Sequence, residues 1–304
     1  MRAHKFAPFV LAYGIFAASP SAGWSAGYDE LNAGINAYNR GEWASAVGHF
    51  GAALTAGDLN PDQKFIAHLD RADAHFALHA LDDIPPDLAA CLEIRPADPA
   101  ALDYRAKFYM DTGRAELALP DLDALVAANP DDSGAYLKRG KAYQLVGNHQ
   151  KAIQDFDIAQ AKAPNDKDIV FNTGLSQMEL GQLDRAAESF AHPPEAWPGY
   201  AWLWLAITDL KQGKPIPSES PTGLKGGFWP APLVDYFNGK DTEAAVLDMA
   251  KVTGRLCDAN FYIGEFRLLH GDVEGKQLVQ KALNQCTRNS AEWFSARWIL
   301  ENAH

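Results

Sequence analysis

The sequence is poor in basic residues relative to acidic ones. It contains 27 lysines and arginines against 39 aspartates and glutamates, which gives a formal net charge of −12. Nucleic acids and anionic lipid surfaces attract basic patches, so this balance argues against both as main partners. We interpret the numerous carboxylates as solvated faces of helices.

Long apolar runs are missing after the N-terminus. The one apolar run there, residues 6–18, follows two basic residues and precedes two Ser-Ala-Gly triplets, which is the layout of a secretory signal peptide. This run is too short for a permanent membrane anchor. The sequence therefore predicts a signal peptide over residues 1–27, cleaved after either Gly23 or Gly27.

Cysteine is scarce, with three residues in the chain, and none precedes Cys91. A lipid therefore has no attachment point near the cleavage site, and we predict a soluble exported protein without a membrane anchor. We interpret Cys91 as a buried small hydrophobe. Cys257 and Cys286 lie 14 residues before and 15 residues after Gly271, where a helical hairpin is expected to turn. A disulfide between them is predicted in an oxidising compartment, with two separate free thiols as the alternative.

Motifs for catalysis or cofactor binding are largely absent. The sequence contains no phosphate loop, dinucleotide fingerprint or paired-carboxylate motif in a suitable setting, so no cofactor is predicted. Residues 23–27 match the Gly-x-Ser-x-Gly pattern, but they lie in the cleavage region rather than between a strand and a helix. His75 and His79 are four residues apart and could share a metal-facing side of a helix. Both occupy positions of the repeat described next, so we interpret them as packing residues and predict no metal site.

A period of 34 residues organises the first two thirds of the chain. One repeat carries Gly140, Tyr143, Gly147, Ala152, Phe156, Ala159 and Pro164, and a step of 34 residues back reaches Ala106, Tyr109, Gly113, Ala118, Leu122, Leu125 and Pro130. This spacing of small, aromatic and proline residues resembles the tetratricopeptide repeat (TPR) family. The register indicates five repeats over residues 28–192. The resemblance implies an all-α fold, a TPR α-solenoid in which helix hairpins form a right-handed superhelix.

Proline positions set further expectations. Small residues allow the two helices of a repeat to approach, and a closing proline ends the second helix. Repeats two and three both carry Pro-Asp-Leu, at residues 86–88 and 120–122. Because proline suits the first turn of a helix, the second helices of these repeats are expected to start late and be short.

The strict period ends near residue 192, where proline, glycine and tryptophan become frequent. Residues 193–232 are predicted to form one helix, Tyr200 to Lys211, and an irregular connection. Residues 233–304 are predicted to form helical hairpins and a C-terminal capping helix from Ala291 to Ala303. The tryptophans in this region are interpreted as packing residues, with a ligand platform as the alternative.

The C-terminal third carries a second resemblance. The run Tyr-Ala-Trp-Leu-Trp-Leu-Ala at 200–206, the steps Trp229-Pro230 and Tyr236-Phe237-Asn238-Gly239, and the segment that begins at Cys257 and ends Phe-Tyr-Ile-Gly-Glu are similar to the NlpI-type (new lipoprotein I) periplasmic TPR proteins. That family implies a periplasmic adaptor that holds cell-wall hydrolases and an envelope protease together. Unlike its lipoprotein members, this sequence lacks a lipid-accepting cysteine.

We therefore predict a non-enzymatic periplasmic scaffold that binds other proteins through a concave groove lined by the first helix of each repeat, with a homodimer as a further option. The alternatives are an assembly factor for envelope polysaccharide or pilus export, and an enzyme hidden in residues 193–251. The predicted groove residues are Asp70, Asp73, Phe76, Tyr104, Lys107, Met110, Lys138, Lys141, Gln144, Phe171, Asn172, Leu175 and Met178.

Two features of this set suggest how a partner would bind. The groove is acidic in its early repeats and basic in the middle, where Lys138 and Lys141 are expected to be exposed. A partner with an apolar stripe and an acidic patch would match repeats three to five. The alternative contact surface is the tryptophan-rich end of the chain.

Overall fold

The computed structural model describes residues 25–192, 194, 197–221, 224 and 228–302, so most of the predicted signal peptide lies outside the described residues. In the described part the secondary structure is helical and contains no strand. No helix in that part is both long and apolar enough to cross a bilayer. The chain divides into two compact units, one ending at Arg105 and one starting at Ala106.

The first unit consists of helices that pack in sequence order. These are α1 (Ala26–Asn39), α2 (Trp43–Ala56), α3 (Pro61–Ala77), α4 (Ile84–Ile94) and the first part of α5 (Pro99–Asp111), with a short 3-10 helix at Leu81–Asp83. The start of α3 shows why the chain turns there. Asn60 accepts a hydrogen bond from the Gln63 backbone while the Gln63 side chain accepts one from the Asn60 backbone, and Pro61 fills the first helical position.

The second unit continues the hairpins and adds the C-terminal helices. It contains the end of α5 and then α6 (Ala115–Ala128), α7 (Ser133–Leu145), α8 (His149–Lys162), α9 (Lys167–Glu179), α10 (Leu183–Phe190), α11 (Pro198–Lys211), α12 (Ala231–Phe237), α13 (Glu243–Thr253), α14 (Leu256–Leu269), α15 (Gly275–Gln285) and α16 (Ala291–Asn302). These helices agree closely with the predicted C-terminal elements. The predicted boundaries at residues 192 and 232 mark repeat segments rather than compact units and stay predictions.

Each repeat hairpin is closed by a small residue on the first helix opposite a large residue on the second. The glycine–phenylalanine pairs are Gly34 with Phe50, Gly140 with Phe156 and Gly174 with Phe190, and buried alanine–leucine pairs stand at the same spacing at Ala72 and Leu88 and at Ala106 and Leu122. A Cβ atom added at Gly140 would lie 2.4 Å from the Phe156 ring. The bulk of the second-helix residue therefore dictates how small its first-helix partner must be.

The expectation for the two Pro-Asp-Leu segments is right in one repeat and wrong in the other. Helix α4 is 11 residues long and starts next to its prolines, as predicted. Helix α6 instead starts at Ala115 and holds Pro120 inside. Pro120 lies past the first turn and so removes an intrahelical hydrogen bond, and packing of Ala118 and Leu122 against the first helix outweighs that loss.

The aspartate of the first Pro-Asp-Leu segment is buried in an ion pair. Asp87 accepts hydrogen bonds from Arg71 at 2.9 Å and from His68 at 2.7 Å, and these partners hold the pKa of its carboxyl below the usual range despite its burial. Arg139 and Asp155 repeat the arrangement in the second unit, at 2.7 and 2.8 Å. In each of these two repeats, an arginine on the first helix thus forms an ion pair with an aspartate on the second helix.

Candidate functional site

In the first unit, the predicted groove residues lie together on α3 and α5, next to Tyr38 of α1, which was not in the predicted set. The Tyr104 hydroxyl donates to Asp73 Oδ1 at 3.1 Å, and the Tyr38 hydroxyl donates to the other oxygen of the same carboxylate. The Phe76 ring meets the Tyr104 ring edge-on, with centroids 6.4 Å apart. Two tyrosines and a phenylalanine therefore surround one carboxylate on a half-buried surface.

A second carboxylate adds negative charge to this surface. Burial, followed by repulsion from Asp73, raises the pKa of Asp70 to about 7. Burial and the neighbouring Asp73 likewise raise the pKa of Tyr38. Asp70 is therefore only partly ionised at neutral pH, and a positively charged group placed beside it would favour its ionised form.

In the second unit, the basic groove residues differ in accessibility. Lys138 is exposed, as predicted, but Lys141 is half-buried, so the expectation of exposure is wrong there. Burial lowers the pKa of Lys141 although Asp168 and Asp166 oppose the shift. The ammonium group of Lys107 pairs with Asp111 one turn along α5. Met110 is half-buried against the C-terminal core.

The remaining five predicted groove residues are buried within the second unit. Gln144 donates to Ser176 Oγ at 2.9 Å and to the Asn172 carbonyl at 2.8 Å. Phe171, Leu175 and Met178 belong to the same apolar core as helices α11, α14 and α16. Packing by the chain itself covers these side chains, so a partner reaches them only if that core opens. Their role as partner contacts stays a prediction.

Helix α16 is the reason for much of this burial. It packs on α15 and also on α9, where Ser295 Oγ donates to Glu179 Oε1 at 2.7 Å. The segment before it reaches the C-terminal end of α5, where the Asn289 side chain donates to Asp111. The predicted capping helix therefore returns to the middle repeats as well as covering the last hairpin.

The isolated histidines and Cys91 have structural surroundings. His79 adopts a left-handed conformation with φ 57°, at the turn position where other repeats have glycine. His75 Nδ1 lies 3.8 Å from Asp83. Among the described residues no group of three potential metal ligands comes together. The Cys91 thiol is buried with its pKa raised to about 12, which confirms its interpretation as a small hydrophobe.

The predicted disulfide is present. Cys257 at the start of α14 is bonded to Cys286 at the end of α15, with Cα atoms 4.9 Å apart. The hairpin turns at Gly271, which has φ 80°. The sequence spacing about that glycine therefore predicted the pairing correctly.

The tryptophan-rich region mainly packs. Trp202 and Trp204 are buried, and the Trp202 indole donates to the Glu219 carbonyl at 2.8 Å. Trp229 precedes a cis proline, and its indole donates to Asp258 Oδ2 at 2.9 Å. Tyr200 donates to the same oxygen. These contacts support the packing interpretation of the tryptophans.

Sequence reasoning missed one polar constellation. Glu179, Lys211, Glu265 and Ser295 come from four separate helices of the second unit and line a cavity of about 370 Å³. Lys211 Nζ lies 2.6 Å from Glu265 Oε1. Burial raises the pKa of Glu179 to about 7, against the lowering effects of Ser295 and Lys211. No sequence motif links residues so far apart, so only the packing of the helices reveals the site.

Comparisons with known proteins agree with the repeat assignment. The tetratricopeptide repeat family model matches residues 105–167 and 142–201. A structure of MamA, residue 41 to the end, from Desulfovibrio magneticus RS-1 is 22% identical, with a TM-score of 0.50 over 56% of this chain and 94% of that chain. The MamA RS-1 ArsTM double mutant is also 22% identical, with a TM-score of 0.51 over the same shares. No curated protein matches the sequence.

At this level of identity the MamA structures show a shared fold alone. Together with the family match and the observed hairpins, they confirm that the fold is an all-α tetratricopeptide-repeat solenoid with a C-terminal helical capping region. Folds of this class present the faces of stacked helices as protein-binding surfaces.

Proposed function

We propose that this protein is a non-enzymatic scaffold that binds other proteins through the first-helix faces of its repeats. The observation that carries the proposal is the surface formed by Tyr38, Asp70, Asp73, Phe76 and Tyr104 in the first unit. It combines half-buried aromatic side chains, including the tyrosines that are enriched in binding hot spots, with two carboxylates that could pair with a cation. We refer to these five residues as the tyrosine–aspartate surface.

The chemistry of this surface defines the partner segment that it suits. The hydroxyls of Tyr38 and Tyr104 already donate hydrogen bonds to the Asp73 carboxylate, so groups of the chain itself stabilise that carboxylate. Burial and repulsion from Asp73 raise the pKa of Asp70, so a cation that binds beside it would stabilise the ionised carboxylate. A basic residue next to an apolar or aromatic side chain fits best, and this differs from the acidic partner expected for repeats three to five.

We place this scaffold in the periplasm. The signal-like N-terminus is the reason for export, and the Cys257–Cys286 disulfide supports an oxidising compartment. The resemblance of the C-terminal third to NlpI-type proteins supports the finer proposal of an adaptor for cell-wall hydrolases or an envelope protease.

Affinity capture with matched variants tests the binding surface. The mature protein, an Asp70→Asn/Asp73→Asn variant and an Asp82→Asn/Glu93→Gln control would be immobilised and exposed to a periplasmic extract. The control removes the same number of carboxylates from exposed positions of the first unit. We expect the same partners on the wild type and the control and a loss of at least tenfold on the surface variant. Equal capture by all three proteins would refute the assignment.

A further inference from the structure

The cavity in the second unit lies where α9, α11, α14 and α16 meet. Its volume of about 370 Å³ falls in the range of small-molecule sites. Its lining includes Trp204 and Phe261, which are buried in the core, and the exposed residues Leu180 and Trp298. Trp298 therefore stands where the cavity meets solvent.

The charges in this cavity do not balance when all groups are ionised. Lys211 pairs with Glu265, which is 3% exposed, so these two cancel. Glu179, only 9% exposed, has its Oε1 occupied by the Ser295 hydroxyl. Among the described residues, no cation other than Lys211 faces the Glu179 carboxyl. One negative charge therefore lacks its own counter-ion inside an apolar wall, which is costly.

We propose that this cavity binds one monovalent organic cation, an alkylammonium or guanidinium group on a short apolar stem, with Glu179 as its counter-ion. The stem would pack on the exposed side chains of Leu180 and Trp298, and the cationic head would lie against the carboxylate. The site is independent of the tyrosine–aspartate surface.

The ionisation of Glu179 is consistent with this occupant. Its pKa is raised to about 7 by burial, with Glu265 from α14 adding to the shift and with Ser295 from α16 and Lys211 from α11 opposing it. A bound cation favours the ionised carboxylate, so binding must strengthen as pH rises through this range. Between pH 6 and pH 8 we expect the affinity to increase by about tenfold.

Calorimetric titration with n-pentylammonium chloride tests the site directly. The buffer must contain no amine, because an amine would compete. We expect n-pentylammonium to bind at pH 8 and n-pentanol, its uncharged match, to bind at least tenfold more weakly. Glu179→Gln resembles the protonated carboxyl in shape and should fold, yet it should reduce the affinity at least tenfold and abolish the pH dependence. Glu188→Gln, an exposed carboxyl on α10, should leave both unchanged.

A second probe separates a free amine from a protein side chain as the source of the cation. If the cavity accepts a lysine side chain, the peptide acetyl-Gly-Gly-Lys-Gly-Gly-amide should bind. If it accepts only small free amines, n-pentylammonium should bind and the peptide should not. Either result supports a cation site. Failure of both probes to bind, or equal binding of n-pentanol and n-pentylammonium, would overturn the proposal even if the capture experiment succeeds.

Discussion

Replacement of Gly140 by alanine tests how the repeats are built. In an exposed helix this change normally stabilises by about 1 kcal/mol, because glycine is a poor helix former. At Gly140 the new Cβ would lie 2.4 and 2.7 Å from two atoms of the Phe156 ring. The ring is fully buried, so a shift of the ring must displace other packed side chains. Overpacking of this kind costs about 1 to 3 kcal/mol, and the propensity gain of about 1 kcal/mol offsets part of it, so we expect a net loss of up to about 2 kcal/mol.

A second substitution should relieve the clash. The alanine–leucine pairs in other repeats show that a smaller second-helix residue accommodates the methyl group. Phe156→Leu alone should destabilise the protein, because it leaves a cavity beside Gly140. In the double variant each change compensates for the other, and we expect a favourable coupling of about 1 to 3 kcal/mol.

Urea denaturation followed by circular dichroism measures both effects. Gly48→Ala is the matched control, since Gly48 is exposed on α2 and a Cβ there meets nothing within 4 Å. This control should stabilise by up to about 1 kcal/mol. If Gly140→Ala stabilises the protein as much as the control does, or if its effect on the unfolding free energy simply adds to that of Phe156→Leu, a small first-helix residue is not required opposite Phe156 and the account of the hairpins is refuted.

Three further predictions concern the disulfide, the acidic surface and the N-terminus. Cys257→Ser/Cys286→Ser should reduce the unfolding free energy by about 3 to 4 kcal/mol in thermal or denaturant melts, and two free thiols in native protein would contradict the bond. Because the pKa of Asp70 is raised to about 7 in the folded protein, ionisation of Asp70 destabilises the fold from about pH 4 upward. Asp70→Asn should therefore leave the unfolding free energy unchanged near pH 4 and raise it by about 1 to 4 kcal/mol at pH 8. An effect of the substitution that does not change with pH would contradict this reasoning. The mature protein should begin at Trp24 when its N-terminus is sequenced, because cleavage after Gly27 would remove Ser25, which caps α1. A mature protein that begins at Tyr28 would contradict this prediction.

Much of the fold could be predicted because it repeats. The 34-residue register located the hairpins, since each position recurs with the same packing partner. Pro120 was misjudged because a local proline rule competes with contacts that Ala118 and Leu122 make across the hairpin. The Arg71–Asp87 ion pair was missed although the same spacing recurs at Arg139 and Asp155.

The candidate site was harder to predict than the fold. The periodic pattern places Phe171 and Leu175 on the first-helix face of their repeat, but it contains no information about α16, which returns to that repeat and covers it. The Glu179 cavity likewise depends on four helices brought together by non-local packing. Such contacts join residues that share no motif or spacing.

Site-specific photocrosslinking in cells tests the central claim, that the first-helix face of the first unit contacts other proteins. A photoreactive benzoyl-phenylalanine would replace Phe76, and in a separate strain Ala52, which is exposed on the second helix α2. We predict discrete crosslinked products with other proteins at position 76 that are absent at position 52. Products at position 52 but not at position 76, or at neither position in cells where the capture experiment recovers a partner, would contradict the account.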